Sequence, residues 1–132
     1  MAKLNPNQQL AVNTTEGRVL ILAVAGSGKT RVLVHRIAHL IGDLKVRPSS
    51  ILGLTFTNKA AQEMRERIGK LVSDAAAKEV TLSTFHSFCM KILRQEIHRL
   101  GFTAHFTLYD ERDMRRLIMQ VAEELFEGET LS

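Results

Sequence analysis

The sequence predicts an α/β fold, a parallel sheet with crossover helices, and two observations carry that expectation. Short apolar runs alternate with stretches whose apolar residues recur at helical spacing, and breakers separate these pairs, at Gly42 to Ser50 around Pro48 and at the polar segment from Ser73 to Glu79. The 132 residues, 45% hydrophobic and 24% charged, have the composition of one soluble globular domain or part of one, and they suffice to bury a core.

Taken in order, VLILAV at 19–24 reads as a buried strand, and Val32, Leu33, Ile37, Leu40 and Ile41 line one face of the helix after it. ILGLTF at 51–56 reads as a second strand, followed by a helical stripe of Ala60, Ala61, Met64, Ile68, Leu71 and Val72. VTLST at 80–84 reads as a third, leading into Phe85, Phe88, Cys89, Ile92, Leu93 and Leu100. A last helix over 111–127 carries the cleanest stripe, in Met114, Leu117, Ile118, Val121, Ala122, Leu125 and Phe126, and its exposed face ends in Glu123, Glu124, Glu127 and Glu129. Three strands make a small sheet for a doubly wound domain, so the expectation is a fragment of one.

Several classes are excluded early. The apolar run from Val19 to Ala25 is too short to span a bilayer, and MAKLNPNQQ lacks the apolar core of a signal peptide, so no membrane role and a cytoplasmic location are expected. Cys89 stands alone, which rules out an internal disulfide and a cysteine-seeded zinc site. The net charge of +4 is uneven: residues 1–110 hold 15 Lys/Arg against 8 Asp/Glu, a surplus compatible with a polyanion partner but not specific for one.

The sharpest motif is AVAGSGKT at 23–30. A phosphate loop needs a strand, a glycine-rich turn with inward N–H groups and a helix whose N-terminus favours an anion, and all three are in order here. Ala25, Gly26, Ser27 and Gly28 would form the cradle, Lys29 would reach the β and γ phosphates of ATP, and the Thr30 hydroxyl would ligate Mg²⁺. Ala23 replaces the first glycine of G-x-x-x-x-G-K-[ST], a minor departure at a strand end. Val24 is β-branched and tolerates only extended backbone, so it reads as packing inward as the strand's last residue. The competing reading is a glycine turn after a buried strand with a chance lysine.

Four further stretches narrow the choice: LNPNQQLAV, TFTNKAAQEMRERI, STFHSFCMKILR and FTLYDERD. With AVAGSGKTRVL they closely resemble, in order and over nearly the whole chain, the N-terminal part of UvrD/Rep-type superfamily 1 DNA helicases. The resemblance implies a P-loop (RecA-like) three-layer parallel sheet with crossover helices, incomplete, in a first ATPase domain over residues 1–88. It implies the start of a helical accessory subdomain over 89–132. Implied partners are single-stranded DNA and single-strand/duplex junctions; implied cofactors are ATP and Mg²⁺.

Residue by residue, Gln8 has an amide that donates and accepts, as an adenine edge requires, and the family uses its glutamine that way; an exposed helix glutamine is the alternative. Arg31 is similar to a family arginine that stacks on adenine, against the alternative of a surface arginine. Thr55, Phe56, Thr57 and Asn58 fall at the carboxyl end of the second strand, where open α/β sheets present ligand loops. Phe56 reads either as core or as a base-stacking aromatic. The resemblance implies that this segment contacts single-stranded DNA, with Lys59 adding a phosphate contact, and that Thr84 and His86 do so one strand later. Phe85 is expected to pack inward.

Two patterns imitate other chemistry. His35 and His39 have i, i+4 spacing but no intervening glutamate or third ligand, so they read as solvated histidines. Asp110-Glu111 follows an apolar run as a Mg²⁺-binding acidic pair would, yet Asp110 with Asp113 fits the N-cap and first turn of the final helix, and the resemblance agrees with that cap.

Hydrolysis needs a second acidic motif, a residue that orients water and cationic stabilisation of the γ phosphate. The family supplies them from segments beyond these residues, including a second RecA-like domain. The chain alone is therefore expected to bind nucleotide weakly, with negligible ATPase activity and no unwinding. Rival readings are a small-molecule P-loop kinase, which has no role for TFTNKAAQEM, and a non-enzymatic nucleotide- or DNA-binding module.

Overall fold

A computed structural model describes residues 3–24 and 26–126 of the chain, which divides into two compact units, Met1–Met90 and Lys91–Ser132. In the first unit, helix α1 (Pro6–Asn13) begins where Asn5 and Gln8 cap each other. The Asn5 side chain accepts from Gln8 N at 2.8 Å, Gln8 Oε1 accepts from Asn5 N at 3.0 Å, and Pro6 fills a first-turn position that needs no N–H. Helix α2 (Lys29–Gly42) follows the glycine turn and buries Val32, Val34 and Ile37. Arg36 of α2 donates to Ala11 O at 2.6 Å and to Thr14 O, which satisfies the carbonyls that the end of α1 leaves open.

A 3₁₀ turn at Pro48–Ser50 delivers the chain to strand β1 (Leu52–Thr55). Thr57 caps helix α3 (Asn58–Gly69), its hydroxyl accepting from Ala60 N at 3.1 Å, and α3 buries Ala61, Met64 and Ile68. Helix α4 (Asp74–Glu79) occupies the stretch that polarity marks as a plain connection. Ser73 caps it by accepting from Ala76 N at 3.1 Å, and three successive alanines favour helix once that cap exists. Strand β2 (Thr81–Thr84) then runs parallel to β1 and leads directly into helix α5 (Phe85–Glu96).

The two strands pair Leu52 with Thr81, Gly53 with Leu82, Leu54 with Ser83 and Thr55 with Thr84. Gly53 is demanded by packing: a Cβ there would lie 2.5 Å from Leu82 Cδ2, so glycine lets Leu82 close over β1 beside Ile37 and Met64. The core gathers Val34, Ile37, Ala61, Met64, Ile68, Ala77, Val80 and Leu82, with Ile41, Ile51, Leu71 and Val72 at its margin. Ile68 is completely buried, worth about 1.5–3 kcal/mol relative to exposure.

The sheet differs from the expected one. Among the described residues it has two strands rather than three, and VLILAV at 19–24 joins no ladder; Leu20 is 83% and Leu22 86% exposed. A parallel strand that is apolar on both faces needs strand neighbours and a covering layer on each face, and the described residues bring it neither. The helical stripes also hold only in part. Leu33 of α2 is exposed where burial was expected, Val34 is buried instead, and no residue of α5 is buried.

In the second unit a 3₁₀ turn at Ile97–Leu100 ends at Gly101, whose φ of 81° permits the left-handed reversal. The Arg94 guanidinium lies 5.2 Å from the Phe106 ring centroid and donates to Ala104 O at 3.3 Å. Helix α6 (Glu111–Leu125) opens on a second reciprocal cap: Asp110 accepts from Asp113 N at 2.8 Å and Asp113 accepts from Asp110 N at 3.3 Å. Its apolar stripe is exposed at Met114, Leu117, Ile118, Val121, Leu125 and Phe126 and half-buried at Ala122, while Glu127 and Glu129, and the helix end expected at 127, lie outside the described residues.

Candidate functional site

The glycine turn holds two residues in left-handed backbone. Gly26 has φ of 75° and Gly28 of 86°, a left-handed conformation open to glycine at little cost. Gly28 is doubly constrained, since a Cβ on it would lie 3.1 Å from Gln8 Nε2. Helices α1, α3, α4 and α6 are each capped by a side chain, whereas at α2 no side chain of the described residues caps the first turn. The N–H groups of this first turn lack a side-chain acceptor among the described residues, and the partial positive charge of the helix N-terminus lies at the turn, where it would favour an anion.

Donors converge on this place. Lys29 Nζ donates to Ala23 O at 2.8 Å and to Val24 O at 2.9 Å, so the ammonium of this exposed residue is tied to the carbonyls of the turn. Ser27 donates to Val24 O through both its N–H, at 3.3 Å, and its hydroxyl, at 2.6 Å. Gln8 reaches across from α1, its Nε2 donating to Ser27 O at 3.1 Å. Asn5, Gln8, Ala23, Val24, Ser27 and Lys29 help line a cleft of about 280 Å³. Thr30, exposed on the first turn of α2, and Arg31 are not among its lining residues, and Ala25 lies outside the described residues. Arg31 Nη2 is buried without a hydrogen-bond partner among the described residues.

Val24 departs from its expected packing. Its side chain is 78% exposed, not turned inward, because the segment before it has no sheet to hold a face against. Among the described residues only Lys45 is a non-glycine with positive φ, so Val24 avoids the strain that a β-branched residue would suffer there. Its carbonyl, rather than its side chain, organises the turn.

These residues fit a nucleotide phosphate: a glycine turn, an uncapped helix start and a lysine ammonium share one place. A divalent ion would depend on the Thr30 hydroxyl and on phosphate oxygens, since no group of three or more His, Cys, Asp or Glu gathers among the described residues.

A second assembly lies at the carboxyl ends of the strands. The register sets Thr55 beside Thr84, so the segments that follow them leave the same edge of the sheet together. Phe56 is fully exposed, which removes the core reading for it. Thr55 Oγ1 donates to Thr57 O at 2.9 Å, and Asn58 and Lys59 are exposed on the first turn of α3. On the neighbouring strand, Thr84 Oγ1 accepts from Ser87 N at 3.2 Å and donates to Ser87 Oγ at 2.8 Å, which starts α5. Phe85 does not pack inward as expected: it is 63% exposed and meets the His86 ring edge-on at 6.4 Å, because it follows the last paired residue of β2 and has passed the end of the core.

His35 and His39 are half-buried rather than freely solvated. They line a separate cleft with Val12, Leu71 and Val72, and His39 Nδ1 lies 2.5 Å from Asp43 Oδ2. Burial, and then the charge of Arg31, lower the His35 pKa below its ordinary 6.5. Arg36, which fastens α1 to α2, escaped sequence reasoning because its carbonyl partners leave no side-chain pattern. The Asn5-Pro6-Asn7-Gln8 cap, by contrast, was a readable signal that a helix starts after Asn5 with Gln8 in its first turn.

The UvrD/REP helicase N-terminal domain family matches residues 4–131. An ATP-dependent DNA helicase PcrA of Leuconostoc citreum is 52% identical over 122 residues, which cover 92% of this chain and 16% of that protein. PcrA of Staphylococcus aureus is 52% identical over 118 residues, 89% of this chain and 16% of that protein, and PcrA of Bacillus subtilis is 48% identical over 124 residues, 94% and 17%. The chain therefore spans about one sixth of the length of these relatives.

Proposed function

Since the chain belongs to the UvrD/REP helicase N-terminal domain family, we propose that it supplies the nucleotide phosphate loop and part of the single-stranded DNA track of a cytoplasmic ATP-dependent DNA helicase. Residues 1–88 are then the N-terminal part of the first ATPase domain, and residues 89–132 open the helical accessory subdomain. The parent motor steps 3′ to 5′ along single-stranded DNA and separates the duplex at a junction, with the remaining domains completing its hydrolytic site.

Within this reading, the Gly26–Gly28 turn, with Ala25, cradles the phosphates and the Lys29 ammonium neutralises the β and γ oxygens. The Thr30 hydroxyl holds Mg²⁺, which when bound offsets phosphate charge. Gln8 exchanges its contact at Ser27 for the adenine edge, and Arg31 lays its guanidinium plane on the base. Thr55, Asn58, Lys59, Thr84 and His86 hold the DNA backbone, while Phe56 stacks on a base.

The observation that carries the proposal is the register of Thr55 against Thr84, which brings both strand-end segments to one edge with Phe56 fully exposed between solvent and sheet. Its test is fluorescence anisotropy of a labelled oligothymidylate titrated with the chain. Phe56→Ala is expected to weaken binding by about 1–3 kcal/mol, as loss of one stacked base does. Affinity unchanged in Phe56→Ala and in a second variant, His86→Ala, would refute the DNA-track assignment.

A further inference from the structure

Arg65 lies seven residues into α3 and is half-buried, and among the described residues no carboxylate pairs with it. Its guanidinium is spent on carbonyls instead. Nη1 donates to Ala77 O at 2.8 Å, Val80 O at 3.1 Å and Lys78 O at 3.4 Å, and Nη2 donates to Leu82 O at 3.3 Å. Ala77 and Lys78 belong to the end of α4, whose last carbonyls need external donors.

Val80 and Leu82 have a different geometry. Thr81 N donates across the sheet to Ile51 O, so alternation along a strand turns the carbonyls of residues 80 and 82 away from β1. The next outward carbonyl, Thr84 O, accepts from Ser83 Oγ at 2.9 Å. The outer edge of β2 is thereby held by side chains of its own unit, and its anchor is a residue of the helix that directly follows β1 and Phe56.

We infer that Arg65 is a positioning residue for the strand-end surface. It fastens β2 to α3, so that Thr84, Phe85 and His86 leave the sheet in fixed register with Thr55, Phe56 and Asn58. This inference rests on the nucleic-acid reading of that surface proposed above. The ladder alone joins four residues of each strand, and the forked clamp extends that connection through α3 to the end of α4. A planar fork with donors on two nitrogens suits this task in a way that a single ammonium does not.

The test compares the wild-type chain with Arg65→Gln and Arg65→Lys, by amide NMR and by anisotropy with a labelled oligothymidylate. In Arg65→Gln the amides of Ser83 to Ser87 and Phe56 to Lys59 are expected to shift while those of Gly26 to Arg31 hold. Oligothymidylate affinity should fall about tenfold with Mg²⁺-ADP affinity unchanged. Lysine keeps the charge and loses the fork, so Arg65→Lys should resemble Arg65→Gln; it also carries the comparison if the glutamine variant fails to fold. Strand-end amides that stay in place, or shifts spread equally over the phosphate loop, would overturn the positioning role. Full DNA affinity in Arg65→Lys would overturn it too, by making Arg65 a plain phosphate contact. A wild-type chain that ignores oligothymidylate, while the strand-end amides still move in Arg65→Gln, would uphold the clamp and remove the nucleic-acid reading.

Discussion

VLILAV at 19–24 and ILGLTF at 51–56 are runs of equal length and similar composition, and they meet opposite fates. The second forms β1 and pairs with β2, with Ile51 at the margin of the core, although Leu52 stays 46% and Leu54 41% exposed; among the described residues the first joins no ladder and leaves Leu20 83% and Leu22 86% exposed. An apolar run states that burial is favourable on both faces, but a strand forms only where a partner backbone is within reach, even when one face stays uncovered. The phosphate loop follows the unpaired run, and it keeps its turn because local bonds hold it: the Val24 carbonyl gathers Ser27 and Lys29 without help from a sheet.

That contrast breaks first at its extremes. Ile68→Ala should destabilise the chain by about 2–5 kcal/mol in urea unfolding, whereas Leu22→Ser should stay within about 0.5 kcal/mol of wild type. Equal costs would mean that the 19–24 run is packed after all. Next, Gly53→Ala should cost about 1–3 kcal/mol by driving Leu82 from β1, and a thermal midpoint unchanged by it would deny the close approach of the two strands. Thr57→Ala should cost about 1 kcal/mol through loss of the α3 cap, measured the same way.

The smallest effect is in pH. The His35 pKa is lowered in the folded chain, first by burial and then by Arg31. The unfolded chain therefore binds more protons at that site, so His35 allows full stability above the ordinary histidine pKa and withdraws it as pH falls through the folded value. Urea midpoints measured at about pH 7.5 and about pH 5 should fall less in His35→Gln than in wild type. Identical slopes would assign the acid loss to other groups.

Much of this was legible in the residues themselves. The glycine turn and the Asp110 cap follow from local chemistry, and local chemistry produced them; the second and third strands were legible as apolar runs and form by pairing with each other, although Leu52 and Leu54 are exposed where burial was expected. The two-stranded sheet was not, because periodicity records what a segment can bury and not which neighbour it finds. Helix α4 hid behind a polar composition that Ser73 converts into a cap. At the candidate site, Thr55 and Thr84 could be named from motifs, yet their adjacency depends on parallel register. The exposure of Phe56 and Phe85 depends on where the core ends. Arg36 and Arg65 were invisible because their partners are backbone carbonyls, which every residue carries.

The central claim is that a turn held by local bonds, after a run without a ladder, still binds nucleotide phosphate. Calorimetric titration with Mg²⁺-ADP and Mg²⁺-ATP, at concentrations able to detect millimolar affinity, tests it most directly alongside Lys29→Ala. Binding by the wild-type chain that disappears in the folded Lys29→Ala variant is the predicted result. Binding that survives Lys29→Ala unchanged, or is absent from both folded proteins, would contradict it.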